Sequence, residues 1–97
     1  MNSYRLSKEA EQDFEDLWVY LGKLDDIAAD RQVAKLLDQF PMLAQFPSMG
    51  TSRDRLLEGL RGFPVKPYVV FYILIPGGIE ILRIIHQARD IENQFSL

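Results

Sequence analysis

Glu58, Arg61, Arg83 and His86 are the side chains of this 97-residue chain whose types suit chemistry on a phosphodiester. A carboxylate can take a proton from a ribose 2′-hydroxyl, guanidinium groups can stabilise phosphate charge, and an imidazole can protonate the leaving oxygen. Together they would make a metal-independent ribonuclease. Two features oppose that reading. Side chains alternate across a strand, so Arg83 and His86, three positions apart, point to opposite faces of an ideal one. The charge also has the wrong sign. The formal net charge is −3; residues 1–40 carry five basic and nine acidic side chains (net −4), and residues 41–97 carry six and five (net +1). A nucleic-acid binder normally relies on a strong positive field, so direct nucleic-acid contact is not expected.

Each of these residues also has a structural reading. Arg61 and Arg83 can pair with Glu58, Glu80 or Asp90, or with backbone carbonyls at a sheet edge; exposed pairs of that kind add only about 0–1 kcal/mol. His86 at a strand end suits a hydrogen-bonding role. A lone histidine in a chain with no cysteine makes neither a metal site nor a disulfide, and no cofactor is expected. Gly50 and Gly59 read as turn or bulge residues.

The elements that must position these groups fit a single domain over residues 1–97, with 47% apolar and 26% charged residues. Tyr4–Leu6 reads as a short strand, with Ser7 capping the helix that follows. Ala10, Phe14, Leu17, Trp18 and Leu21 recur at helical spacing as core positions, opposite a solvated acidic face, and Gly22 is the expected stop. Asp25 or Asp26 caps a second helix with the stripe Ala29, Val33, Leu36, Leu37 and Phe40, which Pro41 should end or kink. A short link makes the two an antiparallel hairpin. Three antiparallel strands follow: Leu57–Val65, irregular at its glycines and proline, then Tyr68–Ile75, then Ile79–His86 after the reversal Pro76-Gly77-Gly78. The fold class is α+β. No secretory signal is visible, and Tyr68–Ile75 is too short to span a bilayer, so a cytoplasmic protein is expected.

The last two strands are apolar on both faces: Val69, Phe71, Ile73 and Ile75 against Tyr68, Val70, Tyr72 and Leu74, and Ile79, Ile81 and Ile85 against Leu82 and Ile84. The helical hairpin covers one face. The other calls for a partner, the polar tail Gln87–Leu97 with its anchors Ile91 and Phe95, or a second copy. Without cover the chain should aggregate or dimerise.

The order and spacing of several short words resemble the ParE branch of the ParE/RelE toxin superfamily over nearly the whole chain. They are Tyr4-Arg-Leu-Ser-Lys-Glu-Ala10, Phe46-Pro47-x-x-Gly50, Gly59-Leu60-Arg61-x-Phe63-x-Val65-x-x-Tyr68, Phe71-Tyr72 and Ile81-Leu-Arg-Ile-Ile-His86-x-Ala-Arg-Asp90. The resemblance implies the toxin of a type II toxin–antitoxin pair, in a hetero-oligomer with an antitoxin whose C-terminal segment wraps it. It implies DNA gyrase as the target, reached by protein contact without catalysis. The alternatives are a RelE-like ribosome-dependent mRNA endonuclease and a non-toxic member that only binds its antitoxin. On this reading Arg83, His86, Arg89 and Asp90 carry toxicity. Arg53, Arg55 and Arg61 meet an acidic antitoxin tail, with Phe71 and Ile73 as apolar contacts on the sheet.

Overall fold

Ser7 divides the first strand from the first helix. Residues 2–95 are described by the structure, a computed structural model. β1 (Ser3–Leu6) leads into α1 (Lys8–Leu24), whose cap is the Ser7 hydroxyl accepting from the Ala10 amide at 3.0 Å. Such a cap stabilises a helix by about 1 kcal/mol. The same hydroxyl donates to the Leu82 carbonyl at 2.9 Å, so the cap also ties α1 to the sheet.

Asp25 alone separates the two helices. Its N–H closes α1 onto the Leu21 carbonyl, and its carboxylate accepts from the Ile27 and Ala28 amides to start α2 (Asp26–Gln45). Gly22 therefore does not stop α1, because a better cap lies three residues on. Nor does Pro41 end α2. A proline inside a helix costs about 3 kcal/mol, but Phe40, Leu43 and Ala44 around it are buried. Burying one large apolar side chain returns about 1.5–3 kcal/mol, so packing carries the helix through.

The stripes are narrower than their sequence suggests. Ala10 and Leu17 are buried on α1 with Phe14 and Leu21 beside them, whereas Trp18, one position off the stripe, is 49% exposed. On α2, Leu37 is likewise turned to solvent.

The sheet has five strands in the order β1-β5-β4-β3-β2. β2 (Thr51–Ser52), β3 (Arg61–Val65), β4 (Tyr68–Ile75) and β5 (Gly78–His86) pair antiparallel, and β1 lies parallel to β5, which makes the sheet mixed. Pro76 followed by Gly77 at φ 82° gives the type II pattern in the β4–β5 turn. The strand expected from Leu57 begins only at Arg61. Residues 53–60 form turns instead, through Leu56 N–H to the Arg53 carbonyl (2.9 Å) and Leu60 N–H to the Leu57 carbonyl (3.0 Å).

β5 carries one extra residue. Phe71 pairs with Arg83 but Tyr72 pairs with Ile81, leaving Leu82 as a bulge. Strict alternation is lost there. Ile79, Ile81 and then Ile84 pack under the helices, while Leu82 and Ile85 join the opposite face.

Two cores result. The larger lies between the helical hairpin and the sheet, around Leu36, Phe40, Leu43, Val70, Tyr72 and Ile81. The smaller, on the far face, centres on Leu60, Val69, Phe71 and Ile85. Leu56 of the 53–60 turns, with Ile91 and Phe95 of the C-terminal segment, covers it, and the Phe95 ring meets Phe71 edge-on at 5.1 Å. That segment is the single-turn helix α3 (Ile91–Gln94), capped by Asp90. Of the covers expected for the second face, the chain's own tail supplies one, together with a loop that the sequence reading took for strand.

Candidate functional site

The free edge of β5 beyond β1 places Arg83. Asp13, on α1, accepts from Arg83 Nε at 2.7 Å and Nη2 at 3.0 Å, and its Oδ2 also takes the Ile84 N–H at 3.0 Å. One carboxylate thus holds a guanidinium and satisfies an edge amide. Arg83 Nη2 further donates to Gln94 Oε1 at 3.3 Å, tying α3 to the same point. The hydrogen bonds that Arg83 donates to Asp13 hold it above the usual arginine range despite the opposing effect of burial. The expected partners were Glu58, Glu80 and Asp90. Glu80 instead pairs with Arg5 at 3.1 Å, and Asp90 caps α3 through Asn93.

Past the bulge, His86 shares the helix-side face with Ile84. Its Nδ1 accepts the Ala88 N–H at 3.0 Å, and its ring stands edge-on to Tyr68 at 5.4 Å. The Arg89 N–H closes onto the His86 carbonyl at 3.0 Å, which turns the exposed Arg89 side chain back toward α1. A cavity of about 410 Å³ opens here, lined by residues that include Tyr20, Tyr68, His86 and Arg89. Of the four residues expected to carry toxicity, His86 and Arg89 meet in it. Arg83 is bound into the Asp13 pair, and Asp90 serves α3.

At the other end of the sheet, Arg61 Nη1 donates to the Gly50 carbonyl at 2.6 Å. Arg55 forms an exposed pair with Glu92 at 3.3 Å, and Arg53 lies beside it along a hollow of about 310 Å³. Asp54 organises this loop by accepting from the Gly59 N–H (2.8 Å) and the Ser52 hydroxyl (2.9 Å), and those bonds lower its pKa. Arg53 and Arg55 therefore share this hollow, while Arg61 is held at the Gly50 carbonyl outside its lining. Phe71 is fully buried beneath Phe95, and Ile73 is partly buried at the margin of the same cluster.

The ribonuclease set does not converge. Glu58 is exposed in the turn before β3, Arg61 is tied to Gly50, Arg83 to Asp13, and His86 to its own turn. β3 and β5 lie on either side of β4, so Arg61 and Arg83 are separated by that strand. Among the described residues, no group of three or more His, Cys, Asp or Glu side chains is placed to hold a metal ion. No described helix is long and apolar enough to cross a membrane.

Asp13, Tyr20 and Tyr68 escaped the sequence reading of the site. By residue type Asp13 belongs with the solvated acidic face, yet it lies three residues after Ala10 and four before Leu17, at the margin of the buried stripe. Tyr68 was read as one more apolar strand residue, although it pairs across the hairpin with His86.

The sequence model of the family described as ParE toxin of type II toxin-antitoxin system, parDE, matches residues 4–91. Toxin ParE1 of Caulobacter vibrioides is 33% identical over 91 residues, covering 93% of this chain and 94% of that protein. Toxin RelE2 of the same organism is 34% identical over 70 residues, 72% and 77% of the two chains. A chain of the chromosomal ParDE TA system from P. aeruginosa shares the fold, with a TM-score of 0.75 at 22% identity over 89% of this chain and 96% of that one. With the match running from β1 through the start of α3, the chain belongs to the ParE toxin family of type II toxin–antitoxin systems.

Proposed function

We infer that this ParE-family chain is a toxin kept inactive by a cognate antitoxin, and that the free chain inhibits DNA gyrase by protein–protein contact without catalysing a reaction. The family match carries the reading, and a solved relative belongs to a ParDE system. The dispersal of Glu58, Arg61, Arg83 and His86 supports contact over catalysis, since general acid–base cleavage needs its groups around one reacting centre. The antitoxin would lay a helix over the exposed apolar residues of the helical hairpin, Trp18, Val19, Leu24 and Ile27, and run an acidic tail past Arg53, Arg55 and Arg61. Contact with Phe71 would require the Ile91–Phe95 segment to lift.

The test is the purified chain in gyrase supercoiling and DNA-cleavage assays, beside a ribosome-programmed mRNA cleavage assay. Gyrase inhibition or trapped cleaved DNA, with mRNA intact and activity abolished by antitoxin, is the expected result. The similarity to Toxin RelE2 favours mRNA cleavage as the second reading. Codon-spaced mRNA cuts with gyrase unaffected would establish it.

A further inference from the structure

The cavity between α1 and the end of β5 contains hydrogen-bond donors that nothing among the described residues uses. Tyr68 is only 6% exposed, yet its hydroxyl has no hydrogen-bond partner among the described residues and is not sealed from solvent. Burial, and then the neighbouring Tyr20, raise the Tyr68 pKa, so the group is a donor at neutral pH. His86 Nδ1 accepts the Ala88 N–H, which places the ring proton on Nε2, a second donor. The Arg89 guanidinium, without a partner among the described residues, is a third.

The acceptors on the cavity wall are largely occupied. Both Asp13 oxygens serve Arg83, and one of them also serves Ile84; Asp16 Oδ1 takes the Gln12 amide at 2.8 Å. Leu17 and Ile84 supply apolar wall, next to which a hydrogen bond strengthens as water is excluded. A site rich in donors and poor in free acceptors fits a group that only accepts. A carboxylate does so, and its two oxygens match the fork of an arginine. Asp16 in the cavity lining disfavours a phosphate, with its greater charge, more than a carboxylate, as does the net charge of −3.

Resting on the gyrase reading above, we propose that this cavity is a socket for one glutamate or aspartate side chain of the gyrase target, held by the Tyr68 hydroxyl, His86 Nε2–H and Arg89. The socket deepens that reading by naming the chemistry of the contact and by giving Tyr68 a role in it.

The experiment compares wild type, Tyr68→Phe, Arg89→Gln and the double variant for direct gyrase binding and supercoiling inhibition, with antitoxin affinity and thermal midpoint measured in parallel. Tyr68→Phe keeps the ring and removes only the donor. Each single change is expected to weaken gyrase binding about tenfold, as for loss of a hydrogen bond to a charged group, and the double change more, with antitoxin affinity unchanged. A double variant that inhibits gyrase like wild type overturns the socket while leaving the gyrase reading intact. Loss of antitoxin affinity with gyrase binding preserved also overturns it, since the cavity would then serve the antitoxin. A wild-type chain that leaves gyrase untouched overturns the functional reading and the gyrase socket together.

Discussion

Asp13 and Arg83, seventy residues apart, are joined by hydrogen bonds of 2.7 and 3.0 Å, with side chains only 13% and 20% exposed. Because Asp13 also accepts the Ile84 amide, this pair locks α1 to the sheet edge. Asp13→Ala leaves a half-buried guanidinium and an edge N–H without their acceptor. It is expected to lower the unfolding free energy by about 2–4 kcal/mol, and Asp13→Asn by less, as read by urea denaturation. Arg83→Ala should show a smaller loss of the same kind. Any fall in its toxicity therefore has to be compared with its stability before Arg83 is assigned to the target.

Gly50 and Tyr72 fit together with no room between them. The Tyr72 hydroxyl accepts the Gly50 N–H at 2.8 Å and donates to the Pro47 carbonyl at 2.6 Å, and a Cβ at Gly50 would overlap the hydroxyl and the ring. Gly50→Ala should destabilise by about 1–3 kcal/mol through overpacking. Tyr72→Phe, which orphans both backbone groups, should cost about 1–2 kcal/mol. In the double variant the two losses should sum to less than their separate values, because the phenyl ring relieves part of the overlap.

Asp54 gives the fold a specific acid sensitivity. Its folded pKa lies below the ordinary 3.8, chiefly because it accepts the Gly59 N–H and then the Ser52 hydroxyl. A carboxylate with a depressed folded pKa contributes stability above the unfolded value and loses it as pH falls through the folded one. The stability difference between wild type and Asp54→Asn should therefore be constant near neutrality and shrink toward zero as the pH falls below the ordinary 3.8 and through the lower folded value. A difference that grows on acidification would contradict the assignment.

Phe95 tests the cover on the second face. Phe95→Ala removes the ring packed on Phe71. A loss of about 1–2 kcal/mol is expected, with increased binding of a hydrophobic dye to the native state. Truncation after Asp90 should go further and produce concentration-dependent self-association, visible by light scattering.

The hairpin of β4 and β5 was legible because its β-branched and aromatic run and the Pro76-Gly77 turn act locally, and local chemistry is what a sequence displays. The helical hairpin was legible for the same reason, through Ser7 and Asp25. What escaped was set by contacts distant in the chain. Leu57–Leu60 looks like strand, but Asp54 reaches forward to Gly59 and folds it into turns. Pro41 should break α2, yet Phe40 and Leu43 are buried against the sheet. Trp18 lies a single position from a stripe whose width only the opposing surface defines. The candidate site was half visible: His86 and Arg89 stand out as polar residues after an apolar strand, whereas Asp13 and Tyr68 acquire their roles only when α1 crosses the end of β5.

The extra residue at Leu82 works as a switch of frame. Upstream of it β5 obeys one alternation, and downstream it obeys the opposite one. Without the bulge, the same residues in simple alternation would carry His86 to the far side of the sheet, away from Tyr20 and the α1 cavity and toward the face that Phe95 covers. Deleting Leu82, by contrast, would leave His86 opposite Tyr68. The surface this domain presents at the end of β5 is therefore determined by the bulge as well as by residue identity. Two relatives with the same letters along this strand, one bulged at position 82 and one not, would offer the letters after it to opposite faces.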